Sequence, residues 1–128
     1  MVLAVDLGEK TTGIAISDSS LATPLKTVVH KNREEAVVKI AQIIKEENAD
    51  TLVVGFVEGK IKDLFQEFAT KISHVLPGIK IVMWDETLTS LQARETLIKL
   101  HVPKFKRAAR EHEIAASLIL QSYLDSLA

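Results

Sequence analysis

The chain of 128 residues contains no cysteine, which excludes disulfide bridges and thiolate metal sites. Its N-terminus has neither the basic start nor the small-residue cleavage site of a secretory signal, and no apolar run approaches the length of a membrane span. Internal repeats, low-complexity tracts and long linkers are also missing. These absences predict a single globular domain, residues 1–128, that does not contact a membrane and works in the cytoplasm.

The chain also has no large excess of either charge, since it contains 16 Lys and Arg and 17 Asp and Glu. The overall balance therefore gives no case for nucleic-acid binding, but the distribution of charge is uneven. The stretch PKFKRAAR, Pro103–Arg110, holds four cations and no anion. Such a run is typical of a solvated loop, and it is also a candidate phosphate-binding segment. Its cations are Lys104, Lys106, Arg107 and Arg110.

Apolar periodicity predicts five strands and four helices. The predicted strands are Val2–Leu7, Thr11–Asp18, Thr23–His30, Asp50–Val57 and Lys80–Trp84. The predicted helices start at the N-cap Asn32, run over Lys60–Leu76, run from Thr89 to about Leu100, and run over Glu111–Leu127. This order predicts an α/β fold with a mixed five-stranded sheet flanked by helices. A hairpin makes strand 2 antiparallel, and right-handed crossovers give the strand order 3-2-1-4-5.

Three carboxylates follow or end predicted parallel strands. Asp6 lies near the end of strand 1, and Asp85 and Glu86 come directly after strand 5. Because ligands collect beyond the carboxyl ends of parallel strands, we expect these side chains to converge there. Their mutual repulsion favours a bound hard cation, magnesium or manganese, with oxygen ligands. The alternatives are a turn-capping role for Asp6 and favourable helix-dipole interactions for the acidic pair.

His112 is the candidate polar group of the last helix. It shares a face with Ala115, Ala116, Ile119 and Tyr123 at spacings of three and four residues. The two alanines would let the helix approach the sheet, which would turn the imidazole toward Asp6. A packing role is the alternative for a lone histidine on an apolar helix. Glu58, just past strand 4, is interpreted as an exposed loop acid rather than as a site residue.

Four segments together resemble the YqgF (RuvX) family over nearly the whole chain. They are VDLGEKTTGIAISD, LVVG, DETLTSLQARETLI and IAASLILQSYLD. The resemblance implies a ribonuclease H-like fold, related to RuvC-type Holliday-junction resolvases, and a nuclease that matures the 5′ end of the small-subunit ribosomal RNA precursor. By position, Asp6 matches the family's first-strand aspartate and Gly8 its adjacent glycine, while Asp85 and Glu86 match its acidic pair.

The chain departs from the family pattern at three places. His112 stands where the family usually has a third acidic residue, and Thr87 stands where an arginine usually follows the acidic pair. The loop after strand 4, GFVEGK, is shorter than in relatives. These departures bear on activity more than on fold.

The leading hypothesis is a metal-dependent phosphodiesterase that acts on structured RNA, the small-subunit rRNA precursor, or on branched DNA. Asp6, Glu86 and His112 would be catalytic, Asp6, Asp85 and Glu86 would hold magnesium or manganese, and the basic segment would contact phosphates. A second hypothesis is a non-catalytic RNA- or ribosome-binding module with a degraded centre. A third is an actin-like ATPase, which the length disfavours because such enzymes close two domains on a nucleotide.

Overall fold

The computed structural model describes residues 1–56, 62–86 and 104–127, and for Lys62 and residues 104–110 it describes the backbone alone. The strands in these ranges are β1 (Val2–Leu7), β2 (Thr11–Ser17), β3 (Thr23–Val29), β4 (Thr51–Phe56) and β5 (Lys80–Asp85). The helices in the same ranges are α1 (Arg33–Glu46), α2 (Lys62–Val75) and α3 (Lys104–Ser126).

The strands form one sheet in the order β3-β2-β1-β4-β5, which confirms the predicted topology. β2 is antiparallel to both of its neighbours, while β1, β4 and β5 are parallel to one another. The register sets Asp6 opposite Gly13 on one side and opposite Gly55 on the other, and Gly55 lies opposite Trp84. Asp6 and the end of β5 are therefore separated by the width of β4 alone.

α1 and α2 cover one face of the sheet. The predicted N-cap is confirmed, since the Asn32 side chain accepts a hydrogen bond of 2.9 Å from the Glu35 backbone N–H. Ile40 of α1 and Phe68 of α2 are almost fully buried against Leu3, Val5 and other β-branched and leucine side chains of the central strands. Burial of this apolar surface is the main stabilising contribution on this face.

α3 covers the other face, where the sheet presents small residues. Ala4, Gly13 and Ala15 lie on this face of β1 and β2, and Ala116 of α3 is fully buried against them. Small side chains on both surfaces allow the helix backbone to approach the sheet closely. The alternation in β2, small residues on one face and isoleucines on the other, decides which helix packs on which face.

Several predicted boundaries were wrong. α3 begins at Lys104, seven residues before the predicted Glu111, so the basic stretch that was interpreted as a loop is helical from Lys104 onward. Lys, Arg and Ala are strong helix formers, and that preference outweighs the solvation of the charges. Helical periodicity over Lys60–Leu76 predicts that Leu64 and Val75 lie on the apolar side of α2. They are 41% and 49% exposed, because Phe65, Phe68 and Ile72 define its buried side.

Some predictions fall on residues outside the described ranges. These are the helix from Thr89 to Leu100, Val57 as the last residue of strand 4, the loop acid Glu58, and Thr87 after the acidic pair. Among the described residues, no helix is both long and apolar enough to cross a membrane.

Candidate functional site at the carboxyl edge of the sheet

Asp6 occupies the centre of the carboxyl edge of the parallel strands. It is the fifth residue of the six-residue β1, and the alternation of the strand places its side chain on the α3 face, as it does for Ala4. The Asp6 side chain is 19% exposed. A carboxylate so nearly buried requires hydrogen-bonding or ionic partners, and two neighbouring groups supply them.

Glu86, the residue after β5, is the first partner. Its Oε2 atom lies 3.0 Å from the position that a Cβ on Gly55 would take, and the same Cβ would collide with the Ile119 side chain. The glycine on β4 therefore leaves the space through which the Glu86 carboxyl group reaches across to Asp6. The two carboxyl groups are close enough to share a hydrogen bond, which acts to lower the pKa of Asp6 and to raise the pKa of Glu86, so Glu86 is the donor when it carries the proton.

His112 of α3 is the second partner. Its Nδ1 lies 3.4 Å from Oδ2 of Asp6, and its side chain is 45% exposed. A Cβ on Gly13 would collide with the backbone carbonyl of His112 and the backbone nitrogen of Glu113. Because Gly13 pairs with Asp6 in the sheet, this close approach places the imidazole beside the aspartate.

The pKa values of the two carboxyl groups reflect their burial and their proximity. Burial raises the pKa of Asp6, while the hydrogen bond and charge of His112 act in the opposite direction. Burial raises the pKa of Glu86 to about 7, and the nearby charge of Asp6 adds to this effect. Two adjacent carboxylates of this kind cannot both ionise cheaply without a cation, which is the electrostatic signature of many functional sites.

Asp85 lies on the other side of the sheet. The alternation of β5 places it on the same face as Met83, which packs with the α1 and α2 core, whereas Trp84 packs with α3. Its charge nevertheless contributes to the raised pKa of Glu86. The structure thus brings Asp6, Glu86 and His112 together on one face, and Asp85 remains a predicted ligand beside them.

The donor set limits what kind of metal ion could bind. Among the described residues, no group of three or more His, Asp or Glu side chains is arranged to hold an ion. Asp6 and Glu86 offer two adjacent oxygen donors, which fits magnesium, because that ion keeps several waters and commonly takes one or two carboxylates together with substrate phosphate. The residues present therefore fit a hard divalent cation held partly by the substrate.

The predicted phosphate-binding cations are placed only by their backbone. Lys104, Lys106, Arg107 and Arg110 lie in the first two turns of α3, N-terminal to His112, and their side chains are outside the described part of the chain. They remain predicted contacts for nucleic acid. Glu113, in contrast, faces β3, where the Thr27 hydroxyl donates to its carboxylate at 3.5 Å.

Two supports of the site were missed in the sequence. The role of Gly13 was not recognised, although a glycine inside a strand is a signal for close backbone approach. The other support is Trp84, whose indole N–H donates to the Ser122 hydroxyl at 3.2 Å and whose ring meets Tyr123 edge-on at 5.7 Å between centroids. These contacts fix the end of β5 against α3, and no local sequence pattern signals them.

Comparison with known proteins identifies relatives along nearly the whole chain. The model of the RuvX family, described as Holliday junction resolvase, matches residues 1–126. A protein of Staphylococcus carnosus is 35% identical, with 98% of this chain and 96% of the relative covered. A protein of Caldanaerobacter subterraneus subsp. tengcongensis is 39% identical with the same coverage, and one of Syntrophus aciditrophicus is 37% identical with 98% and 89% covered. All three carry the name "Putative pre-16S rRNA nuclease".

Solved structures with the same fold include two resolvase complexes. Fowlpox virus resolvase with substrate Holliday junction DNA superposes with a TM-score of 0.62 at 16% identity, covering 98% of this chain and 97% of the resolvase. T. thermophilus RuvC with a Holliday junction substrate gives 0.64 at 9% identity, covering 98% and 94%. At these identities the likeness establishes the ribonuclease H-like fold alone. The match of the family model over residues 1–126 shows that the chain belongs to the RuvX family.

Proposed function

We propose that the chain is a divalent-metal-dependent phosphodiesterase that processes the 5′ end of the precursor of 16S ribosomal RNA. The observation that carries this proposal is the pairing of Asp6 with Glu86, two carboxyl groups whose pKa values are raised, at the carboxyl edge of the sheet. The names of the relatives at 35–39% identity support the substrate, which in bacteria is a cytoplasmic molecule. The family match over residues 1–126 supports treating residues 1–128 as one domain.

Asp6 and Glu86 are the residues that would hold the ion, with Asp85 as an additional carboxylate near them. A bound magnesium or manganese ion would orient a phosphate and lower the pKa of water at neutral pH. Ion binding would favour the ionised form of Glu86, because a carboxylate ligand must be deprotonated. A bound ion would therefore be held by the same two carboxylates that otherwise share a hydrogen bond.

His112 is positioned to move a proton at the reacting phosphate. Its imidazole is half exposed, so the ring is open to substrate, and its Nδ1 is oriented by Asp6 at 3.4 Å. A histidine held by a carboxylate in this way is a common general base or acid. In this proposal Asp6 orients the ring and holds the ion, while His112 accepts the proton of the attacking water.

The test is cleavage of a 5′ fragment of precursor 16S rRNA with magnesium or manganese, in parallel with a four-way DNA junction. We expect Asp6→Asn and Glu86→Gln each to lower the cleavage rate by on the order of 100-fold or more, and His112→Asn by about 100-fold. Asp18→Asn is the matched control, because Asp18 is an exposed carboxylate at the opposite edge of the sheet. Asp85→Asn should have a smaller effect than Glu86→Gln, since its side chain lies on the other face.

A second readout does not require turnover. Magnesium should raise the melting temperature of the wild type but not that of Asp6→Asn or Glu86→Gln, because an ion that binds only the folded state stabilises it. Cleavage of the junction without cleavage of the RNA would replace the proposed substrate by branched DNA. No cleavage by the wild type, with RNA binding that ignores magnesium, would contradict the proposal and favour the binding module.

A further inference from the structure

Two exposed lysines lie at the same edge of the sheet as Asp6, on the side of the site toward β2 and β3. Lys10 belongs to the turn between β1 and β2, and Lys31 follows the end of β3. Because Thr11 pairs with Val29, the two segments leave the sheet next to each other. We call these two residues the lysine pair.

Hydrogen bonds hold the lysine pair in place. The Lys10 ammonium donates to the Lys31 carbonyl at 3.1 Å, and the His30 backbone N–H donates to the Lys10 carbonyl at 2.9 Å. The turn itself is closed by the Gly8 N–H, which donates to the Thr11 carbonyl at 2.8 Å. An ammonium has three N–H donors, so Lys10 keeps two for a ligand while its position is fixed.

Two carboxylates of the neighbouring helix α1 are engaged with other cations, while Glu9 precedes Lys10 in the chain. Glu34 forms an ion pair with Lys71 at 3.1 Å, and Glu35 forms one with Lys39 at 3.0 Å. The Glu35 carboxylate also accepts a hydrogen bond from the backbone N–H of Lys31 and lies within reach of the Lys31 charge, while its side-chain hydrogen bond is with Lys39. Within the described residues, neither member of the pair forms an ion pair.

The distance from the site suits a bound nucleic-acid strand. Gly13 is the neighbour of Asp6 across the sheet, and Lys10 lies three residues before it. At about 3.3 Å per residue this separation is about 10 Å. The phosphates of one strand advance by about 3.4 Å per nucleotide along the axis of a duplex, so a duplex whose axis follows this edge of the sheet reaches the pair within about three nucleotides of the site.

We infer that the lysine pair binds the sugar-phosphate backbone of the substrate on the side of the site opposite β5. This inference rests on the proposed function and specifies how the substrate strand runs: along the carboxyl edge of the sheet, over Asp6, and across the turn that bears Lys10. The contacts are electrostatic and position the strand without reading its sequence.

The experiment measures binding in an Asp6→Asn background with magnesium, so that affinity is read without cleavage. The probes are a labelled 5′ fragment of precursor 16S rRNA and a four-way DNA junction, titrated between 50 and 200 mM salt, a range over which phosphate contacts dominate the change in affinity. The test variant is Lys10→Gln with Lys31→Gln. The matched control is Lys45→Gln with Lys80→Gln, two exposed lysines at the opposite edge of the sheet.

The lysine-pair variant should bind RNA about 10-fold more weakly, and the slope of log affinity against log salt should fall by about 1.5, as for two lost phosphate contacts. The control variant should keep both values. Lys10→Arg should retain the slope, and removal of the neighbouring anion in Glu9→Gln should raise the affinity. A smaller salt slope separates a phosphate contact from a merely structural role for Lys10.

An unchanged affinity and salt slope in the lysine-pair variant would overturn the inference, as would the absence of binding to both probes by the parent chain. Either result is independent of the cleavage test, which judges the proposed function by Asp6→Asn against the wild type. The same slope change on the RNA and on the junction would support a backbone contact that serves both nucleic acids. A change confined to the RNA would support a contact specific to the proposed substrate.

Discussion

At the scale of residues, the site is defined by three polar side chains that meet at Asp6. Asp6 accepts a hydrogen bond from Glu86 when Glu86 carries the proton and is approached by His112, so one nearly buried carboxylate connects the acid that follows β5 with an imidazole on α3. Gly55 gives the acidic pair its room, because a side chain there would collide with Ile119 and crowd the Glu86 carboxyl group. The chemistry of the site is therefore set by one glycine as well as by three polar side chains.

The pair has a consequence for stability in the absence of metal. The pKa of Glu86 rises from about 4.5 in the unfolded chain to about 7 in the folded one, so the folded state binds more protons between these values. Folding is therefore less favourable as pH rises through this window. The loss should be on the order of 1 kcal/mol, since the carboxyl group is only half buried and solvent screens it.

Urea unfolding with a chelator at pH 5 and pH 7.5 measures this effect. Glu86→Gln removes the titrating group. The free energy of unfolding of the wild type should therefore fall relative to that of the variant as pH rises. Asp18→Asn is the control for a carboxylate at the surface. A difference that is constant with pH would show that Glu86 holds no shared proton.

At the scale of secondary-structure elements, the site depends on how closely α3 approaches the sheet. α3 lies against β1 and β2 because Ala4, Gly13, Ala15 and Ala116 leave room for its backbone, and the contact at Gly13 is directly with the backbone of His112. The tryptophan at the end of β5 joins the same helix through Ser122. One helix thus positions both ends of the site.

Gly13→Ala tests this arrangement. The added methyl group would displace the backbone at His112, so we expect a loss of about 1–3 kcal/mol in the free energy of unfolding and a cleavage rate lowered by about 10-fold or more. Val53→Ala is the matched control, because Val53 is fully buried under the same helix but away from the site.

The control should lose about 2 kcal/mol of stability from its cavity and keep its activity at temperatures where it is folded. The measurements are urea unfolding and RNA cleavage at 20 °C on both variants. Equal activity in the two would mean that the approach of α3 serves packing alone.

At the scale of the whole molecule, the two faces of the sheet have different roles. α1 and α2 build the larger apolar core, while the α3 face carries the site and the smaller core. His30 lies at the end of β3 with 2% of its surface exposed, where its Nε2 is 2.8 Å from the Thr12 hydroxyl. Its Nδ1 has no hydrogen-bond partner.

Burial lowers the pKa of His30, which makes the stability of the whole fold sensitive to acid. The unfolded chain binds the proton more readily, so the stability that is present above about pH 6.5 is lost as pH falls below that value. We expect a lower urea midpoint at pH 5 than at pH 7.5 from this residue.

His30→Gln keeps a group that can bond Thr12 but cannot titrate, and it should reduce this acid sensitivity. The exposed His74→Gln is the control and should leave the pH profile as it is in the wild type. Identical profiles for all three chains would exclude His30 as the source.

Much of the fold could be predicted from local patterns. The apolar run of β4, the alternation of β2 and the Asn32 cap each act within a few residues, so the element order and the strand order followed from them. The start of α3 was wrong because a run of cations was weighed by its charge, whereas the helix preference of the same residues prevailed. The prediction that Leu64 and Val75 lie on the buried side of α2 was wrong, because periodicity alone does not fix the rotation of a helix.

The sequence by itself determined that Asp6 would lie near the end of a buried strand and that acids would lie at the end of β5, because strand periodicity and topology are local and chiral rules. Only the tertiary structure decided that Glu86 faces Asp6 while Asp85 lies on the opposite face, and that Gly13 and Gly55 open the space for His112 and Glu86. The physical reason is that these contacts join residues up to 106 positions apart. Their distances depend on how closely a helix and a sheet pack, which no short stretch of sequence specifies.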